Sequence, residues 1–266
     1  MSEQPESSSA PGAHRGRREA NALIQRVLAA RNDSALVVLE GFHALKHALR
    51  FQAPVEIVAA VQDGELDALT AAHAPELAAQ IDALTVRIAR ADFKRMGPYE
   101  PHTGVVSVAR RPRYDAAALL SGDLRGPVVA LEDPRHRGNF GAAVRVAAAA
   151  EAAGVLGIGG VEPWHPTTVR AAAGLHFALP VASATLGQLQ ASGRPVVALD
   201  PEGEPLQPAA VPAGAVLLFG SERAGLSAQA RAIAQATCAL PMRAGVSSLN
   251  LATSVAAVLY ALRLAR

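Results

Sequence analysis

The sequence runs to 266 residues, room for two ordinary domains; half of them are hydrophobic and only 4% aromatic, so its core is built mainly from Ala, Val and Leu. A formal net charge of +2, carried mostly by arginine, suits an anionic partner without naming one, and the arginine and alanine abundance could equally reflect a GC-rich genome. The single cysteine, Cys238, excludes an internal disulfide framework or a multi-thiolate metal site, and no charge-free run could span a bilayer, so a cytoplasmic protein with no metal and no membrane contact is expected.

Residues 1–17, rich in Ser, Pro, Gly and charge, are expected to form a disordered basic tail, either solvated or touching nucleic acid. From Arg18 regular patterns begin. EANALIQRVLAA reads as an amphipathic helix, ALVVLEG as a strand, FHALKHALRF as a helix and VEIVAAV as a strand. A helical stretch interrupted at Pro75 follows, then strands at TVRIA and GVVSVARR. The segment 18–110 is thus a small α/β domain. His43 and His47 are four apart on one helix, a spacing that can hold zinc, but the glutamate of an HExxH pattern and a third ligand are missing.

Residues 111–125, charged and punctuated by Pro and Gly, read as a linker. In 126–266, apolar strands at VVALED, VLGIGG, VVALD, AVLLFG and CALPM alternate with helices, and SSLNLATSVAAVLYALRLAR closes the chain as a helix. Such runs indicate a parallel sheet covered on both faces, with ligands beyond the carboxyl ends of its strands.

Three strand ends there are rich in Gly, Ser and Asn. In EDPRHRGNFG, Asn139 suits a helix N-cap, and Gly141 permits close approach of backbone or ligand. Arg145 then stands in a helix of Ala and Val, as a surface charge or a working side chain. In LLFGSERAGLS, Gly220 and Gly225 bracket a loop carrying Glu222, which a helix dipole alone would accommodate. In LPMRAGVSSLNLATSVA, Ser248 suits an N-cap, which leaves Asn250, a poor helix former, in the first turn. Neither a dinucleotide GxGxxG nor a P-loop is present, which disfavours a nicotinamide oxidoreductase.

Taken in order, these segments resemble the SpoU/TrmH family of RNA ribose methyltransferases, of the SPOUT class. Asn139, Gly141 and Arg145 match the first motif. Gly220, Ser221, Glu222, Gly225 and Leu226 match the second, and Leu240, Pro241, Met242, Ser248, Leu249 and Asn250 the third. LVVLEGFHALKHAL and TGVVSVA resemble the start and end of the small substrate-binding domain, so the likeness covers about residues 18–266. HTGV at His102–Val105 and RAAAG at Arg170–Gly174 depart from the usual His-Gln-Gly and Arg-Ser-Ser/Ala-Gly.

The resemblance implies a C-terminal parallel-sheet domain with a trefoil knot, a homodimer, and S-adenosyl-L-methionine held around Gly220, Ser221, Leu240, Met242 and Leu249. It implies methylation of a ribose 2′-hydroxyl in structured RNA, transfer or ribosomal, with Arg145, Asn139, Glu222, Ser248 and Asn250 as catalytic residues. A guanidinium does not give up its proton in proteins, so Arg145 suits a charge clamp better than the base the family reading assigns it. A non-catalytic RNA-binding protein on the same fold is the alternative; it predicts erosion of the motif side chains, and all of them are present.

Overall fold

A computed structural model describes residues 11–122 and 126–265. The described chain divides into two compact units. One takes in the chain up to Phe42 together with Pro54–Arg111, the other His43–Ala53 together with Pro112 onward.

The first unit contains α1 (Pro11–Ala30) and β1 (Leu36–Glu40); α2 (Phe42–Arg50) begins in it and runs on into the second. Then follow β2 (Val55–Val61), α3 (Glu65–His73), α4 (Ala78–Leu84), β3 (Thr85–Ile88), α5 (Arg90–Phe93) and β4 (Val105–Arg110). Its sheet has the order β1-β4-β2-β3, with β4 antiparallel to both neighbours and β2 parallel to β3. Ala20, Leu23, Ile24 and Val27 share one face of α1 and bury against Val38, Ala59, Val106 and Val108. Glu40, buried at the end of β1, is held by Arg31 Nη1 at 2.9 Å. Thr103 of the HTGV segment accepts a hydrogen bond from Phe42 N–H at 3.0 Å, a structural task for that departure from the family pattern.

The second unit continues with α6 (Ala116–Ser121), β5 (Val128–Glu132), α7 (Arg137–Ala149), β6 (Gly154–Ile158), α8 (Pro166–Ala171), β7 (Val181–Ala184), α9 (Leu186–Ala191), β8 (Val196–Pro205), β9 (Val216–Phe219), α10 (Ala228–Ile233), β10 (Ala236–Ala239) and α11 (Leu251–Leu264). All six strands are parallel, in the order β10-β8-β9-β5-β6-β7. Alternate residues feed opposite layers: Val129 and Leu131 of β5 face the cluster with α7 and α11, Val128 and Ala130 the cluster with α6, α9 and α10. The expected parallel sheet covered on both faces is therefore present. The chain moves outward from β5 through β6 to β7, then returns to lay β9 on the other side of β5. That reversal between β5 and β9 is where an open α/β sheet binds ligands.

Several sequence expectations are corrected. Helix α1 starts at Pro11, not Arg18, and proline suits the first helical position. The part of the expected tail before Pro11 lies outside the described residues, as do residues 123–125 of the expected linker. The remainder of that linker is not a spacer: Asp115 caps α6 by accepting from Ala117 N–H, and Ala116, Leu119 and Leu120 are buried in the second unit. Helix α2 does not stay with the small domain that surrounds it in sequence. His47 Nδ1 bonds Ala173 O at 2.8 Å, and a Cβ on Gly174 would lie 2.6 Å from Ala44 O. Gly174 has φ +74, so its backbone and its lack of a side chain both let α2 close on the end of α8. Strand β7 was not read from sequence. Among the described residues no helix is long and apolar enough to cross a membrane.

Candidate active site at the β5–β9 switch

The site grows from the carboxyl ends of β5 and β9. Beyond β9 the chain folds back at once: Ser221 and Gly225 exchange N–H···O bonds at 3.0 Å, and a Cβ on Gly220 would sit 2.1 Å from Gly225 C. Only glycine permits that closure, and it lifts Glu222 to the rim. At the end of β5, Glu132 accepts from Ser227 N–H at 2.8 Å and Ser227 Oγ–H at 2.6 Å, tying the two strand ends together.

Helix α7 starts at Arg137, with His136 in the cap position and no side-chain cap. Asn139 is therefore not the N-cap expected from sequence; it stands inside the first turn, and its side chain is spent elsewhere. Asn139 Nδ2 donates to Glu222 Oε1 at 2.8 Å, and Arg135 N–H donates to Glu222 Oε2 at 3.0 Å. Burial pushes the Glu222 carboxyl up, but bonds from Asn139 and from the backbone N–H groups of Glu222, Arg135 and His136 outweigh it and hold the carboxyl below its ordinary value.

Asn250, not Ser248, caps α11: its Oδ1 accepts from Ala252 N–H at 2.9 Å and Thr253 N–H at 3.4 Å. Both residue types cap helices, and the extended backbone of Asn250 (φ −56, ψ 143) decides between them. The cap fixes the amide: with Oδ1 on the helix, Nδ2 points to Asn139 Oδ1 at 3.0 Å. The Asn139 amide is then oriented too, so donors run in one direction, Asn250 to Asn139 to Glu222. A helix start thus sets the polarity of a three-residue chain drawn from all three sequence motifs.

Two cavities meet on this chain. The first, about 350 Å³, has apolar walls from Leu199, Phe219, Leu240, Met242, Leu249 and Leu251, with Gly220, Ser221, Ser247 and Ser248 at its edge. The second, about 590 Å³, is polar, lined by Arg135, His136, Asn139, Arg223 and Asn250. Glu222, Arg223, Ser248 and Leu249 border both. Nine of the ten sequence-derived site residues therefore gather here. Arg145 does not. It lies on the exposed face of α7, lines neither cavity, and its charge is felt by His47.

Sequence reasoning missed Asp200, which follows β8's apolar VVAL directly. Its side chain is 5% exposed, lines the apolar cavity and pairs with Arg231 Nη2 at 2.8 Å. An acidic residue directly after the apolar run Val196–Leu199 was the available signal. Gly141 is explained by packing, since a Cβ there would lie 2.3 Å from Thr168 O of α8.

The cavity fits a small nucleoside ligand on its own terms. Its volume is in the range of small-molecule sites. Along Pro241–Leu249 the one backbone pair among the described residues is Val246 N–H to Arg243 O at 3.0 Å, which leaves main-chain donors and acceptors for a heterocycle. Val246 and Leu249, 47% and 42% exposed, offer apolar cover beside them.

The chain is similar to known proteins. An uncharacterized tRNA/rRNA methyltransferase of Mycobacterium bovis is 33% identical over 169 residues, 59% of this chain and 58% of the relative. A 23S rRNA (adenosine(1067)-2′-O)-methyltransferase of Streptomyces laurentii is 31% identical over 168 residues, 59% of this chain and 60% of the relative. The chain thus spans less than two thirds of the curated relatives it matches. The crystal structure of an AdoMet-bound rRNA methyltransferase from Sinorhizobium meliloti superposes with a TM-score of 0.72 at 25% identity, covering 92% of this chain and 95% of that one. The model of the SpoU rRNA methylase family matches residues 126–260, the span that holds the sheet, both cavities and all three motifs, and the chain belongs to that family.

Proposed function

We propose that the chain methylates a ribose 2′-hydroxyl in RNA, ribosomal RNA in the first place, with S-adenosyl-L-methionine as donor, and that it works as a cytoplasmic homodimer. The observation that carries this reading is the oriented chain Asn250–Asn139–Glu222, placed on the rim shared by an apolar and a polar cavity. The names and bound cofactor of the relatives support it.

Gly220, Ser221, Leu240, Met242 and Leu249 would hold the cofactor, with Asp200 added to the set. Bound there, the cofactor supplies a methyl group already activated on a sulfonium, so no metal is needed to make the electrophile. The remaining work is alignment and management of one hydroxyl proton. The bond formed is from the ribose oxygen to the methyl carbon; the sulfur keeps the electron pair of the bond broken, and the hydroxyl proton leaves to water at the open mouth. Ser248 borders both cavities and suits contact with the ribose. Glu222 stays ionised and fixes the Asn139 amide. Arg145 supplies positive charge to the developing alkoxide. Its exposure outside the cavities of its own chain supports a role in the site of a second copy. The trefoil knot belongs to the same reading: stretched between its ends, the denatured chain would stop short of its contour length.

Titration with S-adenosylmethionine followed by methyl transfer to RNA tests the proposal. Cofactor binding with 2′-O-methylnucleosides in the digest supports it; cofactor binding without transfer to any RNA leaves an RNA-binding scaffold.

A further inference from the structure

The polar cavity carries two guanidinium groups that no motif explains. Arg135 and Arg223 both line it together with Glu222, and His136 lies between the end of β5 and the start of α7. Several arginines elsewhere are committed: Arg26 to Glu56, Arg31 to Glu40, Arg87 to Asp67, Arg90 to Asp63, and Arg231 to Asp200. The side chains of Arg135 and Arg223 have no ion-pair or hydrogen-bond partner among the described residues. The one carboxylate in that lining, Glu222, spends its hydrogen bonds on Asn139 Nδ2 and Arg135 N–H, and its single charge offsets only one of the two guanidinium groups. That second bond also anchors the Arg135 backbone at the rim while leaving its guanidinium unspent.

The geometry points to a phosphate clamp: Arg135 and Arg223 together seat the backbone phosphate of an unpaired RNA nucleotide in the polar cavity, placing its ribose against Ser248 and the two asparagines. Guanidinium groups pair with phosphate through parallel N–H···O bonds, and a concave site between them accepts a nucleotide splayed out of a loop more readily than one stacked in a duplex. The clamp separates two tasks. Substrate anchoring falls to Arg135 and Arg223 of the same chain as the cavity, and alkoxide stabilisation to Arg145. This inference rests on the RNA reading above.

The test is equilibrium binding of a fluorescent single-stranded RNA oligonucleotide, and of the same strand in a duplex, across a salt series. Proteins compared are the wild type, Arg135→Gln, Arg223→Gln, the double variant and the double Lys variant, each with its S-adenosylmethionine affinity measured. One phosphate contact contributes about 0.7 to the slope of log affinity against log salt for single strands. The double Gln variant is expected to lose about 0.7 of slope and about tenfold in RNA affinity, and the Lys variant to recover the slope; Arg135→Gln, which lies outside the apolar cavity, should keep cofactor affinity within about twofold of wild type. An unchanged slope and affinity in the double Gln variant, beside a wild type that binds RNA, overturns the clamp alone. A wild type that binds S-adenosylmethionine but no RNA at low salt overturns the RNA reading and the clamp with it.

Discussion

Replacing Asn250 with aspartate separates the two tasks of that side chain. An aspartate still accepts from Ala252 and Thr253 N–H, and a carboxylate at a helix start is favoured by about 0.3–1 kcal/mol. What it cannot do is donate to Asn139 Oδ1, 3.0 Å away. Two oxygens then face each other, and Asn139 relieves the contact by turning its amide, which removes the 2.8 Å donor from Glu222. One hydrogen bond to a charged acceptor at an exposed site is worth about 1.5 kcal/mol, close to a tenfold change in rate if the arrangement matters in the transition state. Asn250→Ala loses the cap as well, about 1 kcal/mol, or about 3 °C of melting temperature for a unit of this size. The assays are thermal unfolding and initial methyl-transfer rates at saturating RNA. Asn250→Asp should unfold at or above the wild-type temperature yet transfer methyl about tenfold more slowly, while Asn250→Ala should fall in both. Wild-type turnover in Asn250→Asp would refute the oriented chain, and early unfolding would refute the cap.

Gly220→Ala places a Cβ 2.1 Å from Gly225 C, backbone that cannot yield, so a loss of about 1–3 kcal/mol and of calorimetric S-adenosylmethionine binding is expected. Burial lowers the His47 pKa against a raising bond to Ala173 O, with Lys46, Arg145 and Arg50 lowering it further. A histidine with a depressed folded-state pKa contributes stability that is complete above its unfolded value of about 6.5 and lost as pH falls through the folded value. Melting temperature should therefore drop more between pH 7 and pH 5 in the wild type than in His47→Gln. Glu222 has the usual carboxylate sign: its contribution is present above about pH 4 and lost as pH falls through the depressed folded value, and Asn139→Ala should move that loss to higher pH, read by unfolding across an acid series.

The sheet was legible because strands buried on both faces, such as VVALE and VLLF, read as unbroken apolar runs. The site was legible as three short motifs, but not its wiring. Ser248 and Asn250 are both good caps two residues apart, and only backbone angles select one. Asn139 looked like a cap because its bond to Glu222 spans 83 residues, a separation no local pattern carries. Helix α2 looked like part of the small domain because its neighbours in sequence are; the contacts that claim it, Gly174 and Ala173, lie more than a hundred residues on. Arg145 shared a helix with Asn139, yet six residues of α-helix turn it onto a different face.

The most direct measurement is mass spectrometry of nucleosides from ribosomal RNA incubated with the purified protein and S-adenosylmethionine carrying an isotopically labelled methyl group. The label should appear in a 2′-O-methylnucleoside with the wild type and fall sharply with Arg145→Ala that still folds and binds the cofactor. Label on a base, or none on RNA from a folded, cofactor-binding wild type, would contradict ribose methylation.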